Sequence, residues 1–266
     1  MQEITLSLSE NTLKLSTVEK GEFKGVSAEI SQDVAKDNKI LNIEAFSQAV
    51  RDLLASITGK NPKGLALNVV LDPYDVVYKF IAVNKKDGEV EDQIMKELGS
   101  KLNGTPLDDL YFSYLKIAPF VYQFVAVKKE LIESYLEVSN QLGMALKSIV
   151  PWVTLLPKFV DINEPAIFIS NFADKQFVAL SEFNGIFFTD VFEDDKGTEE
   201  LQKIVEELSV YKRKDPISKV FIYNYDSFSL NPKYNVLKLE IPNSDMEESK
   251  GYEMHLLVNY MIKGDK

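Results

Sequence analysis

No cysteine occurs among the 266 residues, and histidine occurs once, at position 255. The first absence excludes disulfides, thiolate metal sites and cysteine nucleophiles. A lone histidine without cysteine is also poor material for a zinc site or a Ser-His-Asp triad. Basic residues are outnumbered, 30 against 41 acidic ones, for a formal net charge of -11. Such a chain is repelled by nucleic-acid backbones and anionic lipid surfaces, which require clustered Lys and Arg. The one compact basic run, Lys212-Arg213-Lys214, falls where a helix should end and is read as pairing with the helix dipole. No apolar run reaches the ~18 residues that span a bilayer. The start is a strand pattern carrying Glu3, not a signal peptide. The expectation is a soluble, cytoplasmic protein with no nucleic-acid partner and no direct membrane insertion. Residues 261–266 fit either a natural end or the boundary before a membrane anchor.

What is present suffices for a large core: 45% hydrophobic and 11% aromatic residues suit one large domain or two closely joined ones. Residues 3–8, 13–19 and 23–30 carry strand patterns, parted by turns at Glu10-Asn11 and Lys20-Gly21-Glu22. The stretch Ser7 to Lys14 has the outline of a phosphate-cradling hairpin, yet contains neither glycine nor aspartate. Over 43–58 the period changes: Ile43, Phe46, Val50, Leu53, Leu54 and Ile57 share a helical face that Gly59 closes. Leu65 to Leu71 reads as a central strand buried on both sides.

The second half repeats this order. Strands are expected over 166–171, 176–183 and 186–192, with Asn184-Gly185 as a tight hairpin turn. A helix capped by Thr198 carries Leu201, Ile204, Val205, Leu208 and Tyr211 on one face, and a strand follows over 219–223. Each β-β-β-α-β half then gains a helix and a strand: 128–142 and 145–150 in the first, a strand at 234–240 and a helix at 250–262 in the second. Trp152 to Phe159 reads as a linking helix, with Trp152 as a core plug. Residues 72–127 form a strand–helix–strand–strand insert crowded with aromatics. The organisation is therefore a first lobe over 1–160, with the insert inside it, and a second lobe over 161–266.

This element order, and a few local matches, resemble the PilM family of type IV pilus assembly proteins, with the cytoplasmic part of the GspL family of type II secretion similar in layout. Phe124-Val-Ala-Val-Lys-Lys-Glu-Leu-Ile-Glu-Ser-Tyr135 resembles that family's return from its insert, and Gln141-Leu-Gly-Met-Ala-Leu-Lys147 the segment after it. The resemblance implies an actin-like (ribonuclease H-like) α/β fold, duplicated as β-β-β-α-β, of the kind FtsA also elaborates. It also implies where phosphate would be held. The family's Asp-x-Gly-(x)4-Lys hairpin falls on Ser7, Ser9 and Lys14, so only the lysine is kept. The second hairpin falls near Ser170 and Asn171, again without aspartate or glycine.

Backbone N–H groups grip phosphate only where glycine allows close approach and positive φ, and aspartates organise Mg²⁺. Glu10, Glu193, Asp194 and Asp195 would face the same mouth and repel a triphosphate by ~1–4 kcal/mol per contact. The acidic run near Asp190 lacks the alternating oxygen spacing of a calcium loop and is read as solvated. The expectation is a pseudo-ATPase with no cofactor, ATP and magnesium entering only if displaced residues serve. The resemblance further implies a membrane-anchored pilus or secretion partner whose PilN-like peptide docks near the insert. The aromatic residues assigned to that docking are Tyr78, Phe80, Tyr111, Tyr114 and Tyr122. The protein would then be a non-catalytic scaffold at the inner face of the membrane. A working actin-like ATPase and an FtsA-like filament former are the alternatives, and homo-oligomerisation is left open.

Overall fold

The computed structural model describes residues 2–59, 62–84, 88–102, 104–172, 175–193, 198–211, 214–223, 230–241 and 249–264. Three antiparallel strands, β1 (Glu3–Ser9), β2 (Thr12–Glu19) and β3 (Glu22–Glu29), open the chain, and a short ribbon follows, β4 (Ala35–Lys36) and β5 (Lys39–Ile40). Helix α1 (Ile43–Thr58) starts where the Asn42 side chain accepts from the Ala45 N–H and stops at Gly59. It buries Phe46, Val50 and Leu54, each contributing about 2 kcal/mol by leaving water. Strand β6 (Ala66–Leu71), buried at every residue, runs parallel to β1.

The insert comprises β7 (Val76–Ala82), α2 (Val90–Leu98), the ribbon β8 (Lys101–Leu102) and β9 (Thr105–Pro106), then β10 (Leu110–Ala118) and β11 (Val121–Lys128). Its sheet has the order β10-β11-β7, with Ile81, Ile94, Leu98 and Phe124 in a core of its own. Helix α3 (Lys129–Leu142) and strand β12 (Ala145–Pro151) return to the first sheet, whose order is β12-β6-β1-β2-β3. A 3-10 turn from Trp152 and helix α4 (Leu156–Phe159) lead onward, and the Trp152 ring lies 5.4 Å from Phe177 in a shared core, the plug its sequence position suggested.

The second sheet repeats the first in the order β15-β14-β13-β16-β17, from β13 (Ala166–Phe172), β14 (Lys175–Glu182), β15 (Gly185–Glu193), β16 (Lys219–Tyr223) and β17 (Asn235–Lys238). Helix α5 (Thr198–Val210) buries Leu201, Val205 and Leu208; α6 (Glu253–Gly264) closes the described chain and buries Met254, Leu257 and Val258. Tyr211 lies past the end of α5 and is exposed, off the expected face.

One turn differs from expectation. The positive φ angles fall on Phe183 (54°) and Asn184 (60°), one residue earlier than the Asn-Gly pair. Gly185 opens β15 instead, and its role is space. A Cβ there would lie 2.8 Å from the Gln123 Oε1 atom and 3.0 Å from Phe80, both on the insert. The Ile186 N–H donates to the same Gln123 oxygen, and Phe80 meets Phe187 edge-on at 5.2 Å. The insert of the first half is thereby fastened to the second sheet.

Candidate functional site

Strand β1 alternates strictly. Ile4, Leu6 and Leu8 enter the core beneath α1, which leaves Thr5, Ser7 and Ser9 on the other face. Register with β2 sets Ser16 opposite Thr5, Lys14 opposite Ser7 and Thr12 opposite Ser9, so that face is polar on both strands. The parallel strands β1, β6 and β12 run their C-terminal ends to the same margin, where open α/β sheets bind ligands.

The chain's own last helix engages this face. His255 is buried between two serines, its Nδ1 atom 2.9 Å from Ser16 Oγ and its Nε2 atom 2.8 Å from Ser7 Oγ. One helical turn on, Asn259 accepts from the Thr5 hydroxyl at 2.8 Å. Lys14 donates to the Gly251 carbonyl at 2.7 Å and lies 5.6 Å from the centre of the Tyr252 ring. The Tyr252 ring packs on Phe23 and over Gly25, where a Cβ would meet it at 2.9 Å. Burial, reinforced by the Lys14 charge, lowers the His255 pKa to about 3, so the ring is neutral at pH 7. A neutral imidazole carries one donor and one acceptor, and two hydroxyls can satisfy both. Burial also lowers the Lys14 pKa, against the opposing pull of Glu253.

Thus Ser7 and Lys14, two positions of the first candidate phosphate hairpin, are bonded to α6 and its approach, while Ser9 reaches Asp72 at 3.4 Å. In the second hairpin Ser170 is buried, with no partner for its hydroxyl among the described residues; the Asn171 side chain lies outside what is described. Asp194, Asp195, Lys212, Arg213 and the Glu193 side chain also lie outside the described residues. Among the described residues no group of three or more His, Asp or Glu could hold a metal ion. Below the first hairpin, Asp75 has its pKa raised to about 6, by burial first and Asp72 second; Asn38, Lys128 and Lys39 act the other way.

Of the aromatics expected at a docking face, the structure leaves only Tyr111 open, with Lys129 5.5 Å from its ring centre. Tyr78 is a correction: it packs between two cores with a buried hydroxyl. Phe80 is another, turned onto Phe187 of the second sheet. Tyr114 and Tyr122 meet edge-on at 6.1 Å against the insert core. Sequence reasoning missed His255 and Asn259 as a functional pair. Their signal was visible, two polar residues four apart on an apolar helix, matching a polar row on β1. It also passed over Leu115, which is exposed but not aromatic.

Two β-β-β-α-β units, with an α+β insert in the first, have the element order of an actin-like fold. The same fold is seen in a PilM–PilN type IV pilus biogenesis complex, with TM-score 0.69 and 13% identity over 100% of this chain and 99% of that one. It is seen again in the cytoplasmic domain of EpsL, an inner membrane component of the type II secretion system of Vibrio cholerae, with TM-score 0.64 and 14% identity over 99% and 95% of the two chains. No protein-family model matches the chain, and no curated protein does.

Proposed function

We propose that this chain is a non-catalytic cytoplasmic scaffold of a type IV pilus or type II secretion assembly platform. It binds the cytoplasmic segment of a membrane-anchored protein and neither binds nor hydrolyses nucleotide. The observation that carries the non-catalytic part is the clasp on the first hairpin: the hydroxyl standing at the aspartate position, Ser7, bonds His255, and Lys14 bonds Gly251. Whole-chain likeness to the PilM and EpsL structures supports the pathway. Among the described residues no helix is long and apolar enough to cross a membrane; in this reading the partner supplies the membrane contact.

The partner's anchor is the tip of the insert. Phe120 stands there 42% exposed with φ 63°, a conformation costly for a bulky side chain. Beside it is a pocket of about 180 Å³ lined by Val83, Val90, Gln93, Lys116 and Tyr122. Two measurements test the reading. Millimolar Mg-ATP should leave the thermal melting point unchanged; a rise of several degrees would establish the ATPase alternative. The cytoplasmic segment of the PilN-type or secretion-platform protein from the same genome should bind, and Phe120→Ala with Tyr122→Ala should weaken it about tenfold or more. Unaltered binding would remove the tip from the site.

A further inference from the structure

Strand β10 is the outer strand of the insert sheet, hydrogen-bonded to β11 on one side only. A nine-residue apolar edge with open N–H and C=O groups is a template for another strand unless something blunts it. No proline interrupts Leu110 to Ala118; Lys116 and the irregularity that follows it limit the open stretch to Leu110–Leu115, where Tyr111, Phe112 and Leu115 are 48%, 38% and 56% exposed. The face bearing Tyr111, Ser113 and Leu115 continues the row in which Val125, Gln123, Tyr78 and Phe80 are covered by the body of the protein. The cover runs out at the last strand.

The order of residues says what fits this edge. On each side of Ser113 the strand carries an aromatic residue and then a second large side chain: Phe112 and Tyr111 before it, Tyr114 and Leu115 after it. An antiparallel partner with the same sequence, centred on a two-fold axis at Ser113, would set Phe112 against Tyr114 and Tyr111 against Leu115, twice over. Aromatic–aromatic and aromatic–aliphatic pairs of this kind stabilise adjacent strands. The charges agree. Asp108 and Asp109 precede the strand, and Lys116 lies near its other end. In that register each Lys116 stands opposite Leu110 of the second copy, beside the turn that carries Asp108 and Asp109, and no two like charges on the edge stand opposite each other. We propose that β10 pairs with β10 of a second copy of this chain, joining two three-stranded sheets into one of six strands. The contact is isologous, the form closed dimers take.

The chain's lack of cysteine makes the register directly readable. Ser113→Cys would put two thiols across the axis, with Cβ atoms about 5 Å apart. Leu115→Cys would put its two thiols four residues apart along the strands, about 13 Å. Sedimentation of the full chain should reveal a concentration-dependent dimer, and a short bis-maleimide should link the Ser113→Cys protein efficiently and the Leu115→Cys protein poorly. Lys116→Glu should raise the dimer dissociation constant about tenfold, and adding Asp108→Lys to the same chain should restore it, a rescue that simple misfolding cannot give. A monomer throughout the micromolar range overturns the proposal. So does equal linking of both cysteine variants, a dimer in which Ser113→Cys stays unlinked, or linking of Ser113→Cys only to the membrane partner. Lys116 also lines the pocket at the insert tip, so it is the two cysteine variants, which leave the clasp and the tip alone, that separate these outcomes from nucleotide binding and from partner capture.

Discussion

The polar face of the first hairpin and the outer strand of the insert are opposites. On the hairpin, Thr5, Ser7, Lys14 and Ser16 are all engaged by the chain's last helix and its approach, some 240 to 250 residues away. On β10, one strand edge has no neighbouring strand among the described residues, and Tyr111, Phe112 and Leu115 are exposed. The margin where open α/β sheets bind ligands is here an internal contact, while a piece of plain secondary structure offers the open surface.

The difference can be broken most severely at His255. Replacing it with Ala leaves two hydroxyls without their partner and a cavity beneath α6, for a loss of about 3 kcal/mol in urea unfolding. The same residue sets a pH dependence. Its folded pKa of about 3 lies below the unfolded value of 6.5, so the unfolded chain takes up the proton first. Its contribution is whole above pH 6.5 and declines as the pH falls from there toward 3. His255→Asn should flatten that part of the stability profile, and an unchanged slope would mean that the ring is reached by water.

Gly185→Ala comes next, at about 2 kcal/mol, because the added carbon meets Gln123 and Phe80 and pushes the insert off the second sheet. Faster hydrogen exchange in β7 and at the start of β15 would follow. Asp75→Asn should stabilise at pH 7, by about 1–2 kcal/mol. Its folded pKa of about 6 exceeds the unfolded value of 3.8, so the penalty of the charged form is absent below 3.8 and complete above 6. This is the reverse of His255, and single variants separate the two. Tyr111→Ala, on the open strand, should alter monomer stability by no more than about 0.5 kcal/mol. A larger loss would mean that β10 is less open than its exposure indicates.

Much of the architecture was legible because it rests on local chemistry. The helical face from Ile43 to Ile57, the nearly all-apolar β6 and the aromatic-rich β10 and β11 each declare their element within a few residues. The turn at Phe183-Asn184 was misread by one position because Asn-Gly carries the stronger local signal. Gly185 answers to a neighbour 62 residues earlier, Gln123, and no local rule contains that distance. Tyr78 and Phe80 were misplaced for a related reason. Alternation divides a strand into two faces but cannot say which one another lobe will cover. The clasp was hidden by separation too, although His255 and Asn259 were conspicuous on so apolar a helix.

The bond between Ser7 and His255 also has a place in time. A ribosome adding roughly 5–20 residues per second needs on the order of 10–50 s to pass from one to the other, since 248 positions separate them. Throughout that interval the nascent first sheet carries a row of hydroxyls and an ammonium group that only water, or a chaperone, can serve. The first sheet is therefore completed only after residue 255 has been made, and a message stopped before that point yields a product unfinished at its beginning as well as at its end.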